Sequence, residues 1–280
     1  MHIGAFVCLG VLLAMAACTN TALVPPPVGP HAVTVATAAG SITPAEIVRE
    51  VAHLRDALAR EVPQRTTDTP DQERAWISRA KAVAAASGFV ISRVQLVVVV
   101  DRNPAVQELR IILVRPDKEW QVIGGSKVST GQAGRRGYFI TPVGVFLHTD
   151  GILDFRALGT FNENHIRGLG LKGMRVWDFG WQTAERGWRA DRDEADIRLQ
   201  MHATDPDYLE QRLGRPASEG CVRVPATMNR FLDRHGVLDA DYERDAPNDP
   251  RLASVLLPDR EPTPLAGDAM IVVDSAQSAQ

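Results

Sequence analysis

Residues 94–114 read VQLVVVVDRNPAVQELRIILV, two apolar runs on either side of a polar interruption. Each run is rich in β-branched residues and is as long as a typical strand, and Asp101–Pro104 between them contains residues that favour turns. Trp120–Ile123 and Lys127–Thr130 continue the β pattern, and Gly124-Gly125 predicts a break between them. This part of the chain therefore predicts neighbouring β-strands.

The remainder of the chain adds shorter elements around an irregular centre. Ile140–His148 predicts a turn that enters a strand, Ile197–His202 a short strand, and Ala269–Asp274 a closing strand. Met228–His235 predicts a helix. The stretch 150–196 is rich in glycine and shows no clear period, so it predicts a long loop region of the kind that often carries function.

Two helices are predicted before the strands. Thr43-Pro44-Ala45-Glu46 is typical of a helix start, and apolar residues recur at helical spacing through the predicted helix 44–61. A second helix is predicted over 71–87. Together they make a predicted helical hairpin, 43–88, which either packs on the following domain or stands apart. The predicted fold class is mainly β with a small α-helical N-terminal segment.

The N-terminus has the features of an export signal. Ile3–Ala17 is an apolar run of 15 residues, short for a membrane span of roughly 20 residues and suited to a signal peptide. Leu13–Cys18 (LAMAAC) is similar to a bacterial lipobox, whose cysteine is lipidated. We therefore expect residues 1–18 to direct export to the periplasm and Cys18 to anchor the protein in a bacterial membrane. The alternative is cleavage after Ala16, which leaves a soluble periplasmic protein.

Residues 19–42 are rich in Pro, Ala, Thr and Val and include three consecutive prolines. This composition favours an extended, semi-rigid spacer. The segment is therefore predicted to be a tether between the anchor and the folded part, and a disordered leader without a spacing role is the alternative.

The net charge and the cysteine content argue against two classes of protein, those that bind nucleic acid and those stabilised by disulfides. The net charge is −3, with no basic excess and no nucleic-acid-binding motif, so nucleic acid is not an expected partner. Of the three cysteines, Cys8 and Cys18 lie in the N-terminal signal segment, which leaves Cys221 as the one thiol of the processed chain. A disulfide framework is thereby excluded.

Cys221 is the strongest candidate for chemistry. It lies in Ser218–Val224 (SEGCVRV), after a glycine that lets the backbone approach a ligand closely. A free thiol has a pKa of about 8.5, so it needs a base at neutral pH. His202, at the end of a predicted strand, is the candidate base. Backbone amides of Gly220 and Cys221 would hold the oxyanion of a tetrahedral intermediate, so the pattern indicates acyl transfer through a thioester.

Four short segments together resemble the L,D-transpeptidases of the YkuD family. His202 is followed, after fifteen residues, by Ser218–Arg223 (SEGCVR), similar to the family's histidine and its Ser/Thr-His-Gly-Cys signature. Upstream, Val128–Gly131 and Thr141–Phe146 correspond to the family's STG and TPxGxF segments in the expected order. Each segment alone is a weak signal. The resemblance covers about residues 93–275.

The resemblance implies a β-sandwich-like catalytic domain that acts on peptidoglycan stem peptides in cell-wall biogenesis. In this family the cysteine attacks the carbonyl after the L-centre of meso-diaminopimelate in a donor tetrapeptide and releases D-alanine. The acyl group then passes to an amine of another stem, which gives a 3-3 cross-link, or to an amine of an envelope protein. The resemblance implies no metal and no organic cofactor.

The family signature also implies roles for single residues. Cys221 is the expected nucleophile and His202 the expected base. The carbonyl of Ala203 would orient the imidazole, and Gly220 would contribute its amide to the oxyanion hole. Arg223 would bind a substrate carboxylate, for which the guanidinium fork is suited, and a structural ion pair is the alternative.

Two neighbours of Cys221 are less well defined. Ser218 either hydrogen-bonds near the site or stabilises a local turn. Glu219 stands where the family usually has histidine, and a carboxylate close to a thiol raises the thiol pKa. This departure indicates a divergent branch and leaves the acceptor and substrate preference open.

The other histidines and the tryptophans receive structural interpretations. No Cys/His cluster has the spacing of metal ligands, so no metal site is expected. The histidines interpreted as structural in the body of the chain are His53, His148, His165 and His235. Three tryptophans either line a substrate groove or pack within the loop region: Trp177, Trp181 and Trp188.

Two other functions stay open on the sequence. A hydrolase with the same fold and the same cysteine would cut stems or lipoprotein links, because it lets water rather than an amine reach the thioester. A peptidoglycan-binding lipoprotein without activity is the second alternative. Glu219 supports that alternative, and the pair of His202 and Cys221 argues against it.

Overall fold

The computed structural model describes residues 42–116 and 118–277. The predicted signal peptide, the lipidation site at Cys18 and nearly all of the predicted tether lie outside the described residues. Within the described ranges, no helix combines the length and the apolar character that are needed to cross a bilayer.

Helical and strand residues are about equally numerous in the described chain. The helices are α1 (Pro44–Glu61), α2 (Pro70–Ala86), α3 (Ala226–Arg234), α4 (Ala240–Asp245) and α5 (Pro250–Val255). The strands are β1 (Arg65–Thr66), β2 (Gln95–Asp101), β3 (Glu108–Val114), β4 (Gln121–Lys127), β5 (Gly144–Leu147), β6 (Phe155–Arg156), β7 (Arg175–Glu185), β8 (Glu194–Ala203), β9 (Val222–Val224) and β10 (Ala269–Val273). The fold is sheet-rich, but the predicted mainly β class underestimates the helices. The short α4 and α5 escape sequence prediction because six residues show too few turns for an apolar period.

The first sheet has the strand order β1-β4-β3-β2-β10-β5. β2 and β10 run parallel, with Met270 opposite Val98, and the other neighbours are antiparallel. Every residue of β2 is buried, because both faces of this central strand are covered. Burial on both faces explains the unbroken apolar sequence. The two strands predicted within 94–114 are confirmed as β2 and β3.

α1 and α2 cover opposite faces of this sheet. Leu54 and Leu58 of α1 belong to the same core cluster as Val98, whereas Trp76 of α2 packs in a second cluster with Val97. Successive side chains of a strand point to opposite faces, so the sheet lies between the two helices. The two helices therefore pack on the domain, and they do not form a hairpin that packs on itself.

α1 begins as the sequence predicts, and α2 begins in the same way. Thr43 and Thr69 cap the two helices, and their hydroxyls accept hydrogen bonds from the amides of Glu46 and Gln72. The side chains of Glu46 and Gln72 accept in return from the amides of the two cap residues. These reciprocal bonds satisfy amides that a helix start otherwise leaves unpaired.

β4 is one strand that includes Gly124 and Gly125, so the predicted break between two strands at these glycines is wrong, although an irregularity beside Gly124 leaves Ile123 without a partner in β3. A Cβ atom on Gly124 would clash with the side chain of Leu58, and one on Gly125 would clash with the carbonyl oxygen of Leu109. The glycines therefore serve close approach of α1 and of the neighbouring strand, which is a recognised use of glycine inside strands.

The second sheet has the strand order β6-β7-β8-β9, and β9 runs parallel to β8. The long strand β7 falls within 150–196, so the predicted loop region is wrong for that part. A register shift between Asp178 and Trp181, where Gly180 has φ +76°, changes which face the following side chains occupy. Such an irregularity hides a strand from a pattern with period two.

A buried network of charged side chains connects the second sheet to the helical part. Nε2 of His148 lies 2.8 Å from Asp154, whose carboxylate also lies 2.8 Å from Nε of Arg175. Arg175 in turn lies 3.1 Å from Asp239, and Asp154 accepts from the backbone amide of Asp178 at 2.9 Å. Burial lowers the pKa of His148, but the charges of Asp154 and Asp239 outweigh burial, so the pKa is raised. The network accounts for His148 as a structural residue.

Candidate active site

The parallel pairing of β8 and β9 brings Cys221 and His202 to the same place. His202 lies opposite Arg223 in the register. Cys221 directly precedes β9, and continuation of the register sets it beside Gln200 in β8. Because side chains alternate between the two faces of a sheet, His202 and Arg223 share one face. The sulfur of Cys221 contacts the backbone of β8, at the carbonyl of Arg198 and the amide of Gln200. The predicted base and nucleophile therefore lie on neighbouring segments, and no hydrogen bond joins the thiol of Cys221 to the imidazole of His202.

The imidazole of His202 is held in one tautomer. Its Nδ1 lies 2.8 Å from the carbonyl oxygen of Ala203. A carbonyl oxygen only accepts, so Nδ1 carries the proton and Nε2 keeps its lone pair. Burial lowers the pKa of His202 to about 4, opposed by the bond to Ala203 and assisted by the charge of Arg223. The ring is therefore a neutral base at neutral pH.

The thiol of Cys221 is half-buried at the edge of the sheet. It donates weakly to the carbonyl oxygen of Arg198, with the sulfur 3.7 Å from that oxygen. Burial raises the pKa of the Cys221 thiol, and the Gln200 amide and the Arg223 charge offset this only in part. The thiol is therefore protonated at neutral pH.

Two carboxylates add to the shift at Cys221. Glu219, exposed on the turn, and Asp178, buried in β7, both raise the thiol pKa because a nearby negative charge disfavours a thiolate. With the thiol pKa raised and the imidazole pKa lowered, the resting pair consists of a thiol and a neutral imidazole. His202 would then act as a general base during attack, and no thiolate–imidazolium pair forms beforehand.

A tight turn presents Cys221 to the face of the sheet. Gly220 has φ +134°, where L side chains are strained, and a Cβ there would come 2.8 Å from the side chain of Ile197. The Ser218 hydroxyl accepts from the Gly220 amide at 3.2 Å and donates to the Cys221 carbonyl at 2.5 Å. Ser218 thus stabilises the turn. The same bond occupies the Gly220 amide, which is not available to an oxyanion while the bond lasts.

Arg223 lies on the face of His202 and has hydrogen-bond donors without partners among the described residues. Its Nη1 donates to the Ala217 carbonyl at 3.1 Å, whereas its buried Nε has no partner among residues 42–116 and 118–277. The acidic residues in these ranges form no ion pair with it, and burial lowers its pKa. The described residues therefore do not supply the structural ion pair considered as an alternative. A half-buried guanidinium with free donors suits a carboxylate ligand.

The STG segment pairs directly with the cysteine segment. Ser129 and Arg223 exchange two backbone hydrogen bonds of 2.9 and 2.8 Å. The Thr130 carbonyl accepts from the Ser218 amide at 3.0 Å, and Gln132 donates back to the Ser218 carbonyl at 3.0 Å. Two motifs that are distant in sequence therefore hold each other in register beside Cys221.

The TPxGxF segment is hydrogen-bonded to the turn at Gly220 by the hydroxyl of its first residue. The buried Thr141 donates from Oγ1 to the Gly220 carbonyl at 2.7 Å and accepts from the Gly131 amide at 2.9 Å. A Cβ on Gly131 would clash with the carbonyl oxygen of Phe139, which explains a glycine in the STG segment. Thr141 therefore links three of the four sequence motifs.

Gln107 supports the STG segment and escapes sequence analysis. Its Oε1 accepts from the Thr130 amide at 2.7 Å, and its Nε2 donates to the Thr130 hydroxyl at 2.8 Å and to the Arg102 carbonyl at 2.7 Å. Gln107 is buried and has φ +49°. No sequence pattern marks it, because a glutamine in a strand connection usually faces solvent.

Asp178 organises the strand on which His202 lies. Its carboxylate accepts from Nε of Arg198 at 2.8 and 2.9 Å and from the side-chain amide of Gln200 at 3.1 Å. Arg198 and Gln200 alternate with other residues along β8 and therefore share the face of His202. Sequence analysis misses Asp178 because only the pairing of β7 with β8 reveals its partners.

The three tryptophans occupy different environments. Trp177 is fully buried, and Trp188 packs edge-to-face on Phe139 with ring centroids 5.4 Å apart. Trp181 is 66% exposed, and the guanidinium of Arg198 lies 5.8 Å from its ring centroid. Of the three, Trp181 is the one with an open surface next to the face of the candidate site.

The chain matches no protein-family model and no curated protein. It is similar to the crystal structure of a fused Zn-dependent amidase/peptidase/peptidoglycan-binding domain-containing protein from Clostridium acetobutylicum, at 11% identity and a TM-score of 0.27. The similarity covers 74% of this chain, and the chain spans 64% of that protein's chain. A likeness this distant carries no argument, so the candidate site is interpreted from its own geometry.

Proposed function

We propose that this protein is a peptidoglycan L,D-transpeptidase that passes the acyl group of a tetrapeptide stem through Cys221 to an amine. The observation that supports this most strongly is the pairing of β8 with β9, which sets Cys221 beside the strand of His202, whose Nε2 is left as a proton acceptor. The two sheets would then form the sandwich-like catalytic domain that the resemblance implies.

In the proposed acylation step, Cys221 and His202 together account for each bond that forms or breaks and for each proton that moves. Nε2 of His202 takes the thiol proton while the sulfur of Cys221 forms a bond to the stem carbonyl carbon. The tetrahedral intermediate collapses to a thioester as the C–N bond to D-alanine breaks. The imidazolium returns its proton to the leaving amine, so the base is neutral again.

Deacylation transfers the acyl group from Cys221 to the acceptor. An acceptor amine attacks the thioester and forms a new amide, and His202 moves the amine proton to the departing sulfur. Water in place of the amine would give a free carboxylate, which is the hydrolase alternative. The neutral imidazole favours both steps because it can accept a proton at neutral pH.

Arg223 would position the donor in this scheme. Its free donors and the absence of an ion pair among the described residues suit a carboxylate of the stem peptide. Trp181 offers an apolar surface beside Arg198 for the rest of the peptide. Both residues would contribute to substrate binding, whereas Cys221 and His202 would carry out the chemical steps.

Export and lipid anchoring are part of the proposal, because peptidoglycan lies outside the cytoplasmic membrane. Cys18 is the proposed anchor residue. Metabolic labelling of the producing bacterium with an alkyne fatty acid would label the wild type but not Cys18→Ala. An unlabelled wild-type protein in the periplasmic fraction would support cleavage after Ala16 instead.

The direct test is product analysis. Purified protein is incubated with disaccharide-tetrapeptide, and the products are followed by mass spectrometry, with Cys221→Ala as the matched control. A cross-linked dimer that has lost one D-alanine, absent in the variant, supports the transpeptidase. Tripeptide as the sole product favours the hydrolase. Identical unreacted samples from two folded proteins would contradict the proposed activity on this donor.

A further inference from the structure

Three side chains from separate segments meet on the side of α1 and α3. They are His53 of α1, His235 directly after α3, and Glu261. One possible ligand atom from each, a ring nitrogen or a carboxylate oxygen, lies within 4.8 Å of the other two. Two imidazoles and a carboxylate form a donor set that is typical of zinc.

The backbone holds two of these residues in place. His235 is the C-cap residue of α3, and its carbonyl accepts from the amide of Thr263 at 2.9 Å. The amide of Glu261 donates to the carbonyl of Arg234 at 2.8 Å. The third residue, His53, comes from α1, which packs on α3. The three side chains are therefore gathered by the fold itself.

His235 supplies a buried nitrogen that has no partner. The residue is 1% exposed, and its Nε2 lies 3.2 Å from Oε1 of Glu61. A carboxylate accepts, so Nε2 carries the proton and Nδ1 keeps a lone pair. Nδ1 is buried and has no hydrogen-bond partner among the described residues. A buried polar atom without a partner is uncommon and points to a ligand or water.

We propose that His53, His235 and Glu261 bind a divalent transition ion of the zinc type. The proposal assigns Nδ1 of His235 as the ligand atom, because it is the ring nitrogen without a partner while Nε2 is engaged with Glu61. A carboxylate on the far nitrogen of a metal-bound histidine is a recurrent arrangement that fixes the tautomer. A solvent water completes a four-coordinate site.

The proposed coordination requires the three ligand atoms to move closer together than the 4.8 Å within which they lie. Zinc bonds to nitrogen and oxygen are roughly 2.0–2.2 Å long, which fixes how closely the ligand atoms must approach one another. His53 and Glu261 are exposed and free to turn. Glu261 forms an ion pair with Arg234 at 2.6 Å, but both side chains are about half exposed, and pairs of this kind contribute little.

The ion would tie the N-terminal helix to the catalytic part of the chain. It would link α1 to the end of α3 and to the segment that contains Glu261. None of the three residues belongs to the segments that contain Cys221 and His202. The inference therefore stands independently of the proposed transpeptidase activity.

The test is a zinc chloride titration of the full chain by calorimetry, in a background in which Cys8, Cys18 and Cys221 are all replaced by Ala, so that no thiol competes for the ion. We expect His53→Ala and Glu261→Gln each to bind one zinc ion fewer than the parent, or to bind that ion more than about tenfold less tightly. Both positions are exposed, so the variants should fold. His165→Ala removes another exposed histidine and should bind as the parent does.

A thermal measurement separates binding at this site from binding elsewhere. Zinc should raise the Tm of the parent and of His165→Ala, because an ion that binds the folded state stabilises it. It should raise the Tm of His53→Ala and Glu261→Gln much less. Equal titrations and equal Tm shifts in all four proteins would overturn the proposal, as would no zinc binding by the parent.

Discussion

Nδ1 of His202 lies 2.8 Å from the carbonyl oxygen of Ala203, the next residue in the same strand. This contact sets the tautomer of the base through the backbone and needs no acidic side chain. In a Ser-His-Asp triad, by comparison, a buried carboxylate stabilises the imidazolium. Here burial and the charge of Arg223 disfavour the imidazolium, so in the proposed reaction His202 would return its proton readily.

The pH profile of acylation follows from this arrangement. Burial lowers the pKa of His202 to about 4, and only the neutral ring can take the thiol proton. Acylation is therefore constant around neutral pH and is lost as the pH falls through about 4. Quenched-flow mass spectrometry of thioester formation against pH measures this limb. An acid limb near the ordinary histidine pKa of about 6.5 would show that burial does not act as described.

The charge of Glu219 should control the reactivity of the thiol. Replacement by Gln removes a negative charge that raises the pKa of Cys221, so more thiolate exists at a given pH. We expect alkylation by iodoacetamide at mildly alkaline pH to become roughly two- to fivefold faster in Glu219→Gln. Glu194→Gln makes the same charge change at the far end of β8 and serves as the control. Equal rates in both variants would exclude an effect of Glu219 on the thiol.

Arg223 should determine the affinity for the donor carboxylate. Arg223→Lys keeps the charge but loses the forked geometry, so kcat/KM should fall by about 10- to 100-fold, mainly through KM. Arg215→Ala removes an exposed arginine of the same segment and should have little effect. A donor whose free carboxylates are amidated should be used equally by the wild type and Arg223→Lys. A similar loss with that donor would mean that Arg223 acts on structure rather than on the carboxylate.

Thr141 should couple the stability of the fold to the geometry of the turn. Thr141→Val leaves the Gly131 amide and the Gly220 carbonyl without their partner, which should cost about 1–3 kcal/mol of unfolding free energy. Acylation should slow as well, because Gly220 positions Cys221. Thr141→Ser keeps the hydroxyl and should restore most of both. Urea unfolding and thioester formation measure the two effects, and an unchanged Thr141→Val would contradict this role.

The parts of the fold that could be predicted are those with strong local signals. The capped start of α1 at Thr43 and the apolar run of β2 both depend on residues adjacent in sequence. β7 could not be predicted, because the irregularity at Gly180 breaks the alternation of its side chains. From the sequence alone, Gly124 and Gly125 suggest a break in β4. Only the structure shows that they instead allow α1 and the neighbouring strand to approach closely.

The residues of the candidate site likewise fall into those that the sequence predicts and those that only the structure reveals. Cys221 and His202 stand out by residue type and spacing, so the sequence suggests the pair. Gln107 and Asp178 support the site through contacts that strand pairing creates, and residue type alone does not mark them. The cluster of His53, His235 and Glu261 comes from three distant segments, so it has no spacing pattern to detect.

The central claim is that Cys221 carries the acyl group of a stem peptide. Intact-protein mass spectrometry after a short incubation with disaccharide-tetrapeptide tests this most directly. The account predicts an adduct equal to the donor minus D-alanine, mapped to Cys221, sensitive to hydroxylamine and absent in Cys221→Ala. Donor consumption by Cys221→Ala at the wild-type rate, or an adduct on another residue, would contradict it.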